Sequence, residues 1–384
     1  MSADAVTIPP PKIQTEEATK RDIAFDILKG ISIVEVIIHH TLGFSISKFV
    51  EKFSSEWYAM QTARLVLHFA VPTFLMISAL LLARSLSKLG KPNWSRFYIR
   101  RVQRTLMPYL LWTVFYLFVR TMPFAGNAPV VEGDFPLFGL IGIPETFTRA
   151  DSMARVLFFG KAFYHLYFMA VLLQMSVIFP LIFYFVRKLH GNLFIWLLIS
   201  ALIQAIVYIV NWLWVRFPYP ASTIFWFTPT ILAGTYIGIH WNEWENIWRK
   251  WRVVFPIAAV VSLGFYLYFE FHVLHEQPVN SRFLNGAFIS YCTFIALTLL
   301  GFSRWLAKKK YVSNFFASVG NRSIGLFLIH PAILELLRGP TVGKFLSSTP
   351  WPFLTTLLIC FVTSWILVEL FYLMRIGKFL FGRP

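Results

Sequence analysis

Two adjacent histidines, His39 and His40, end the first apolar stretch of the chain, residues 26–40 (DILKGISIVEVIIHH), which also carries Lys29 and Glu35. An ionised group at the centre of a membrane helix costs about 2.5–3.5 kcal/mol to insert, so ionisable residues in such a stretch indicate a function. An imidazole takes up and returns protons near neutral pH, which suits the transfer of an acyl group to a hydroxyl. We therefore interpret His40 as a candidate catalytic base, with His39 as the alternative.

Helical geometry divides these residues between two faces. Residues eleven apart lie about 20° from one another, so Lys29 and His40 share a face and are separated by a rise of about 16 Å. Glu35 and His39 are four residues apart on another face and are predicted to hydrogen-bond as a dyad. The alternative interpretation is that the histidines only occupy the wet interface at the membrane surface.

A second candidate site is the arginine cluster Arg100, Arg101 and Arg104 in FYIRRVQRTLMPYLLW. On a regular helix Arg101 and Arg104 share a face, and guanidinium pairs bind phosphate through planar, bidentate hydrogen bonds. The cluster therefore suits a phosphate-bearing donor. The alternative is topological, since arginines at a helix end also hold its orientation and contact lipid headgroups.

Other polar side chains in apolar runs are weaker candidates. They are Ser78 in LHFAVPTFLMISALL, His165 in FYHLYF and His330 in FLIHP. Such residues are more often structural than catalytic. The two cysteines, Cys292 and Cys360, lie in apolar runs without metal-ligand spacing, and we interpret them as buried filler.

The composition places the chain in a membrane. Of its 384 residues, 57% are hydrophobic and only 14% are charged, against about 25% charged residues in ordinary soluble domains. Apolar runs of about 18–25 residues recur, and each is long enough to cross a hydrocarbon core of about 30 Å as a helix. The sequence predicts an all-α, polytopic membrane protein with about ten transmembrane helices and no cleavable signal peptide. The predicted spans are 23–44, 65–83, 105–122, 164–186, 193–214, 222–240, 253–271, 284–303, 322–338 and 352–374.

The distribution of positive charge predicts the topology. Of 35 Lys and Arg residues, 23 fall on one set of alternating loops, 11 on the other, and Lys29 within the first span. This bias predicts that both termini are cytoplasmic, and it explains the net charge of +17 without nucleic acid as a partner. The chain then divides into a cytoplasmic tail 1–22, a membrane domain 23–376 and a cytoplasmic tail 377–384. The long loop 121–163 faces outward, as a folded lid or a flexible tether.

Taken together and in order, these segments resemble the acyltransferase-3 family of bacterial integral-membrane acyltransferases over nearly the whole chain. The opening stretch is similar to the family motif of Asp, a basic residue and Gly, with a histidine ten intervening residues beyond the basic position. That spacing selects Lys29, where arginine is usual, and His40. The segment VPTFLMISALLLARS resembles the Val-Pro-x-Phe-Phe-x-x-Ser-Gly motif, with Ser78 at the serine and Ala79 in place of glycine. The family's Arg-x-x-Arg pair corresponds to Arg101 and Arg104.

Three later segments complete the resemblance: YHLYFMAVLLQMSVIFPLI, FWFTPTILAGTYIG and VGNRSIGLFLIHPAIL. It implies an acyl-CoA-dependent O-acyltransferase of the bacterial inner membrane that transfers an acyl group, by family frequency acetyl, to a surface glycan such as exopolysaccharide or lipopolysaccharide. The implied partners are membrane lipid, acyl-CoA, the glycan acceptor and the polysaccharide synthesis machinery, with no metal. The resemblance implies catalysis by His40 and donor binding by Arg101 and Arg104. From the residues themselves we add His39 and Glu35 as catalytic candidates, Arg100 and Lys29 as donor-binding candidates, and Ser78, His165 and His330 as substrate-binding candidates.

Two other functions also fit a polytopic chain with charge inside its spans. A transporter or flippase of lipid-linked sugars is the first, and it would be favoured by an internal inverted repeat, which we do not find. The second is a non-catalytic subunit of an exopolysaccharide synthesis complex. Such a subunit would tolerate loss of His40 and of the arginine pair, which an acyltransferase should not.

Overall fold

The computed structural model describes residues 22–89, 92–121, 146, 149–189 and 191–382. These residues are almost entirely helical and contain no β-strand, which confirms the predicted fold class. In chain order the α-helices are α1 Ile23–Phe49, α2 Ser55–Val66, α3 Ala70–Ser87, α4 Trp94–Arg101, α5 Met107–Val119, α6 Ala150–Phe159, α7 Tyr167–Lys188, α8 Leu193–Val210, α9 Thr228–Ile239, α10 Trp244–Trp251, α11 Val254–Leu274, α12 Ser281–Leu306, α13 Lys310–Asn321, α14 Ser323–Leu336, α15 Pro340–Ser347, α16 Pro352–Leu373 and α17 Gly377–Phe381. Short π-helical and 3₁₀ segments join some of them; the π segments are Val102–Leu106 and Asn211–Val215, and the 3₁₀ segments are Pro220–Ser222, Ile224–Phe227 and Trp241–Glu243.

Six helical segments of the described chain are long and apolar enough to cross a membrane. They are Ser55–Ser87, Tyr167–Lys188, Leu193–Val215, Val254–Leu274, Ser281–Leu306 and Pro352–Leu373. Two shorter apolar helices, Ile224–Ile239 and Ser323–Leu336, coincide with two further predicted spans. The remaining two predicted spans contain α1 and α5. The first half of α1 carries three charged residues, and α5 is only 13 residues long. The chain is therefore a multi-pass membrane protein, and ten spans stays a prediction.

The N-terminal tail and most of the long loop lie outside the described residues, whereas most of the C-terminal tail is described. In the first tail only Asp22 is described, as the cap of α1. Within the loop 121–163, the described part forms α6. The predicted C-terminal tail begins with α17, which packs against α5, where the Trp112 indole N–H donates to the Leu380 carbonyl at 2.9 Å.

Contacts between helix ends give the bundle two ends. At the end where α1 begins, called the lower end, the Arg84 guanidinium lies over the rings of Phe25 and Trp241. At the end where α1 finishes, called the upper end, Arg338 at the end of α14 lies over the Phe44 ring. The first and fourteenth helices therefore both finish at the upper end, and their histidines meet there.

In two pairs of helices, glycines let the backbones come into direct contact. A Cβ atom on Gly30 of α1 would collide with the Phe316 carbonyl of α13, and one on Gly320 of α13 would collide with the Asp26 carbonyl of α1. Such small residues replace side-chain packing with direct helix contact in membrane proteins. This antiparallel contact fixes the lower half of α1 and so helps to position the histidines further along it.

The α9 helix contacts α3 in the same way. A Cβ atom on Gly234 would meet the Met76 carbonyl, and one on Gly238 would meet the Leu80 carbonyl. The four-residue spacing on both helices indicates that the two run parallel. This pair forms one wall of the bundle below the site.

The predicted second span is interrupted by a turn at Leu67–Phe69, between α2 and α3. Pro72 lacks the N–H that would bond to the His68 carbonyl, so the helix breaks one turn before it. Two side chains of α12 bond the freed carbonyls: the Cys292 thiol reaches that of His68 at 3.7 Å, and the Tyr291 hydroxyl donates to that of Val66. Irregular backbone inside a membrane is tolerated where it lines a cavity, which is the case here. Cys292 is buried as predicted, but it also bonds the backbone.

Candidate active site

A cavity of about 380 Å³ lies at the turn between α2 and α3, in the upper half of the bundle. It is bounded by α1, α3, α7, α11, α12 and α14 and by the 3₁₀ segments before α9. Its polar lining residues are Glu35, His39, His40, His68, Tyr164, His165, Tyr167, Tyr266, Glu270 and Asn285. The site therefore draws its polar side chains from helices that lie far apart in sequence.

His40 lies at the centre of a group of aromatic rings. Its imidazole stacks on that of His330, with ring centroids 5.4 Å apart and an interplanar angle of 26°. The rings of Tyr164 and His39 lie 4.8 and 5.2 Å away. His40 makes no hydrogen bond to any described residue, so its ring nitrogens are available to a substrate in the cavity.

His39 has a different environment, because its Nδ1 lies 2.9 Å from the Arg64 carbonyl oxygen. A carbonyl only accepts, so Nδ1 carries the proton and Nε2 carries the lone pair. The predicted Glu35–His39 hydrogen bond is wrong for the described structure. The backbone of α2 binds the imidazole instead, and the buried Glu35 Oε2 has no hydrogen-bond partner within the described part of the chain.

His330 and His165 bring unpaired nitrogens to the same group of rings. His330 Nδ1 donates to the Leu326 carbonyl at 2.8 Å, which leaves its buried Nε2 without a partner. Both ring nitrogens of His165 are buried and unpaired, and the two imidazoles lie 6.1 Å apart. Buried polar atoms are nearly always paired, so these orphaned nitrogens indicate a place for a bound molecule or ordered water.

Sequence reasoning missed Tyr266 and Glu270, which lie one helical turn apart on α11 and both line the cavity. The Tyr266 hydroxyl is 2.9 Å from His68 Nδ1, and the His68 ring stacks on that of His39 at 4.8 Å. The signal was present in the sequence, because Glu270 is an acid inside the apolar run FYLYFEFHVL. These contacts bring His68 and His39 together in the wall of the cavity.

The arginines lie on α4 and the π segment that follows it, and none lines the cavity. Arg101 is half-buried, and its guanidinium lies over the Phe97 ring. Its Nε is buried and forms no hydrogen bond with the described residues. Arg100 and Arg104 are exposed. The prediction that Arg101 and Arg104 share a face assumed a regular α-helix. The π segment Val102–Leu106 changes the angle between successive side chains, so that assumption does not apply.

One continuous helical run nevertheless links the arginines to the histidines. Tyr116 of α5 lies fifteen residues beyond Arg101, a rise of about 22 Å. Its ring contacts that of His165 at 4.7 Å, and its hydroxyl donates to the Leu328 carbonyl of α14 at 2.6 Å. The cluster and the cavity thus lie at different depths beside the same helix.

Two other predicted site residues lie away from the cavity. Lys29 forms an ion pair with Asp26 on the same helix, with 2.7 Å between Nζ and Oδ1. Ser78 lies in α3, half-buried and outside the cavity lining. Of the predicted residues, the structure therefore brings together Glu35, His39, His40, His165 and His330.

The histidines are not arranged as a metal centre. No group of three or more His, Cys, Asp or Glu side chains within the described ranges could hold a metal ion. Their rings stack face to face or edge to face rather than converging on one point. The geometry suits proton transfer and hydrogen bonding to a substrate.

A comparison with protein families identifies the chain. The sequence model of the acyltransferase-3 family, described as an acyltransferase domain, matches residues 22–369. The chain belongs to the acyltransferase-3 family. No curated protein and no solved structure matches it at a significant level. The match runs from the cap of α1 through most of α16 and confirms the resemblance seen in the sequence. This acyltransferase-3 protein is thus a membrane-embedded acyltransferase.

Proposed function

We propose that the protein transfers an acyl group, most simply acetyl, from cytoplasmic acyl-CoA to a hydroxyl of an extracytoplasmic glycan such as exopolysaccharide or lipopolysaccharide. The observation that carries the proposal is His40, whose imidazole lines a cavity and has no protein hydrogen-bond partner among the described residues. The excess of Lys and Arg on one side supports a cytoplasmic lower end and a location in a bacterial inner membrane. The cavity then opens in the outer half of the membrane.

In the proposed reaction the hydroxyl proton passes through His40, and a carbon–oxygen bond replaces the carbon–sulfur bond of the thioester. A ring nitrogen of His40 takes the proton of the glycan hydroxyl as its oxygen bonds to the thioester carbonyl carbon. The carbon–sulfur bond then breaks, and the coenzyme A thiolate leaves and takes the proton from the imidazolium. The products are the glycan ester and free coenzyme A, and His40 returns to its neutral form.

Neighbouring groups support the charges that form in this step. Glu35 lines the same cavity, and its buried Oε2, which has no partner among the described residues, can hydrogen-bond to a substrate. Both ring nitrogens of His165 lack a partner among the described residues, and the one that carries the proton can donate to the oxygen on which negative charge develops. His330 Nε2 carries a lone pair, because Nδ1 of that ring donates to the Leu326 carbonyl, so it can only accept. His39 is the reserve base, because its Nε2 has the lone pair.

The arginine cluster is the proposed donor site, with Lys29 near the same end. Arg101 has a half-buried guanidinium, and Arg100 and Arg104 present exposed ones, so together they suit the phosphates of coenzyme A. Because none of them lines the histidine cavity, a passage beside α5 must open when the donor binds. The rise of about 22 Å from Arg101 to Tyr116 is a distance that an extended acyl-pantetheine arm spans.

The donor site gives a kinetic prediction. Replacing both Arg101 and Arg104 with Gln should raise KM for acetyl-CoA by at least about 100-fold, because each charge-assisted hydrogen bond to phosphate contributes about 1.5–3 kcal/mol and two are lost. The turnover number should change much less, since these groups bind the donor equally before and during the reaction. Steady-state release of coenzyme A by the purified protein provides both constants. Replacing the exposed Arg187 of α7 with Gln is the control, and an unchanged KM in the double variant would reject the donor site.

The overall proposal predicts a product. Glycan from cells that contain the intact chain should carry an acyl mass that is absent from cells that lack it, and mass spectrometry of both preparations would name the acyl group and acceptor. Purified protein should also release coenzyme A only when acceptor glycan is present. A transporter or assembly subunit would release none, and that result would overturn the proposal.

A further inference from the structure

A second cavity of about 380 Å³ lies between α8 and α12, near the first turn of α9. It is distinct from the histidine cavity, because α12 separates the two: Asn285 and Phe288 line the first, whereas Gly286 and Ser290 line the second. Its lining is mostly apolar and comes from one face of each long helix. A cleft between two membrane-spanning helices is accessible to the surrounding lipid.

Two buried polar side chains in this cavity have no hydrogen-bond partner among the residues that the structure describes. Gln204 is 3% exposed and both its amide nitrogen and its amide oxygen are unpaired. Tyr208, one helical turn further along α8, is 7% exposed and its hydroxyl is also unpaired. An unsatisfied buried polar group costs about 1–3 kcal/mol, so two in one cavity indicate a ligand that pairs with them.

A positive charge lies at the mouth of the same cavity. Arg282, in the first turn of α12, lines it, and its guanidinium lies over the Trp212 ring at 4.4 Å. Arg282 forms no ion pair with any acid in the described part of the chain, and its Nε donates to Asn280 at 3.2 Å. Its remaining N–H groups can bind a phosphate at the upper surface of the bundle.

From the membrane surface inward, the cleft presents the Arg282 cation, then the hydrogen-bonding groups of Tyr208 and Gln204, and then apolar helix faces. A phospholipid carries matching groups in the same order. We propose that this cleft binds one anionic phospholipid from the upper leaflet, in a site separate from the acyl-transfer centre. Its phosphate pairs with Arg282, its ester carbonyls accept from the Tyr208 hydroxyl and the Gln204 amide, and one acyl chain follows the apolar faces of α8 and α12. Tyr208 lies one turn below Trp212, and Gln204 one turn deeper, at steps of about 6 Å.

An aromatic contact joins the lipid site to the reaction site. The Tyr208 ring lies 4.7 Å from that of Trp226, and Trp226 lines the histidine cavity. A lipid hydrogen-bonded to Tyr208 would therefore be linked to the wall of the first cavity through the contact between the Tyr208 and Trp226 rings. The inference concerns binding alone and does not depend on the proposed acceptor or donor.

Two glycines give a matched test of this site. A Cβ atom on Gly286 of α12 or on Gly264 of α11 would meet no atom within 4 Å, so either glycine accepts a larger side chain. Only Gly286 lines the cleft, and therefore Gly286→Leu should fill it whereas Gly264→Leu should not. Arg282→Gln removes the charge and leaves the cavity open.

The experiment is native mass spectrometry of the full chain released from nanodiscs of equal parts phosphatidylglycerol and phosphatidylcholine. The wild type and Gly264→Leu should retain one phosphatidylglycerol in about tenfold preference, and Arg282→Gln should lose that preference. Gly286→Leu should retain neither lipid. Equal retention of both lipids by the wild type, or undiminished retention by Gly286→Leu, would overturn the proposal. If Gly286→Leu does not fold, Arg282→Gln decides in the same assay.

Discussion

Replacing His40 with Ala should lower the turnover number for acyl transfer by about 10²–10⁴-fold, because the hydroxyl loses the base that removes its proton. KM for acetyl-CoA should change little, since the imidazole lies far above the arginines. The substitution removes ring contacts but no protein hydrogen bond, so the variant should insert and fold. Coenzyme A release and thermal unfolding in detergent measure the two effects separately.

The other histidines provide the controls for this variant. His272→Ala alters an imidazole of α11 that does not line the cavity, and its turnover should match the wild type. His39→Ala should cost less than His40→Ala, because His39 Nδ1 is held by the Arg64 carbonyl and its ring stacks on that of His68. A turnover within tenfold of the wild type for His40→Ala, combined with an inactive His39→Ala, would transfer the role to His39.

Replacing Gly320 with Val should destabilise the fold by at least about 3 kcal/mol, because the new side chain would collide with the Asp26 carbonyl of α1. It would also press on the Gly30 nitrogen, at 2.9 Å from the ideal Cβ position. Neither obstacle is a flexible side chain, so α1 and α13 must separate. The measurement is the unfolding temperature of the purified protein in detergent.

Gly264→Val is the matched control for this effect. Both glycines lie within helices, so the change in helix propensity is similar, but a Cβ on Gly264 meets nothing within 4 Å. We expect the control to unfold close to the wild-type temperature and Gly320→Val far below it. Similar unfolding of the two variants would mean that α1 and α13 do not pack at backbone distance.

Local patterns were enough to predict several features of this molecule. Apolar runs of membrane-spanning length indicated the helices, several motifs in order indicated the family, and the spacing from Lys29 to His40 selected a histidine that lines the cavity. The break between α2 and α3 also has a local cause, because Pro72 lies one turn after it. Each of these features depends on residues near one another in the sequence.

Contacts between distant segments could not be predicted in this way. His39 bonds a backbone carbonyl 25 residues away, and His68 meets Tyr266 across 198 residues. Helical periodicity gives the face on which a side chain lies, but not which helix packs against that face. The Glu35–His39 dyad failed for this reason, since a carbonyl of another helix occupies the nitrogen. The π segment after Arg101 likewise has no signature in the apolar pattern.

Transfer across a sealed membrane tests the central claim most directly. The protein would be reconstituted in liposomes with radiolabelled acetyl-CoA sealed on the side of the arginine cluster and glycan from cells that lack the chain on the other. If His40 receives its donor from the lower end and its acceptor from the upper end, label should appear on the outer glycan, and His40→Ala should abolish it. Label that appears only when donor and glycan share one side would contradict the account.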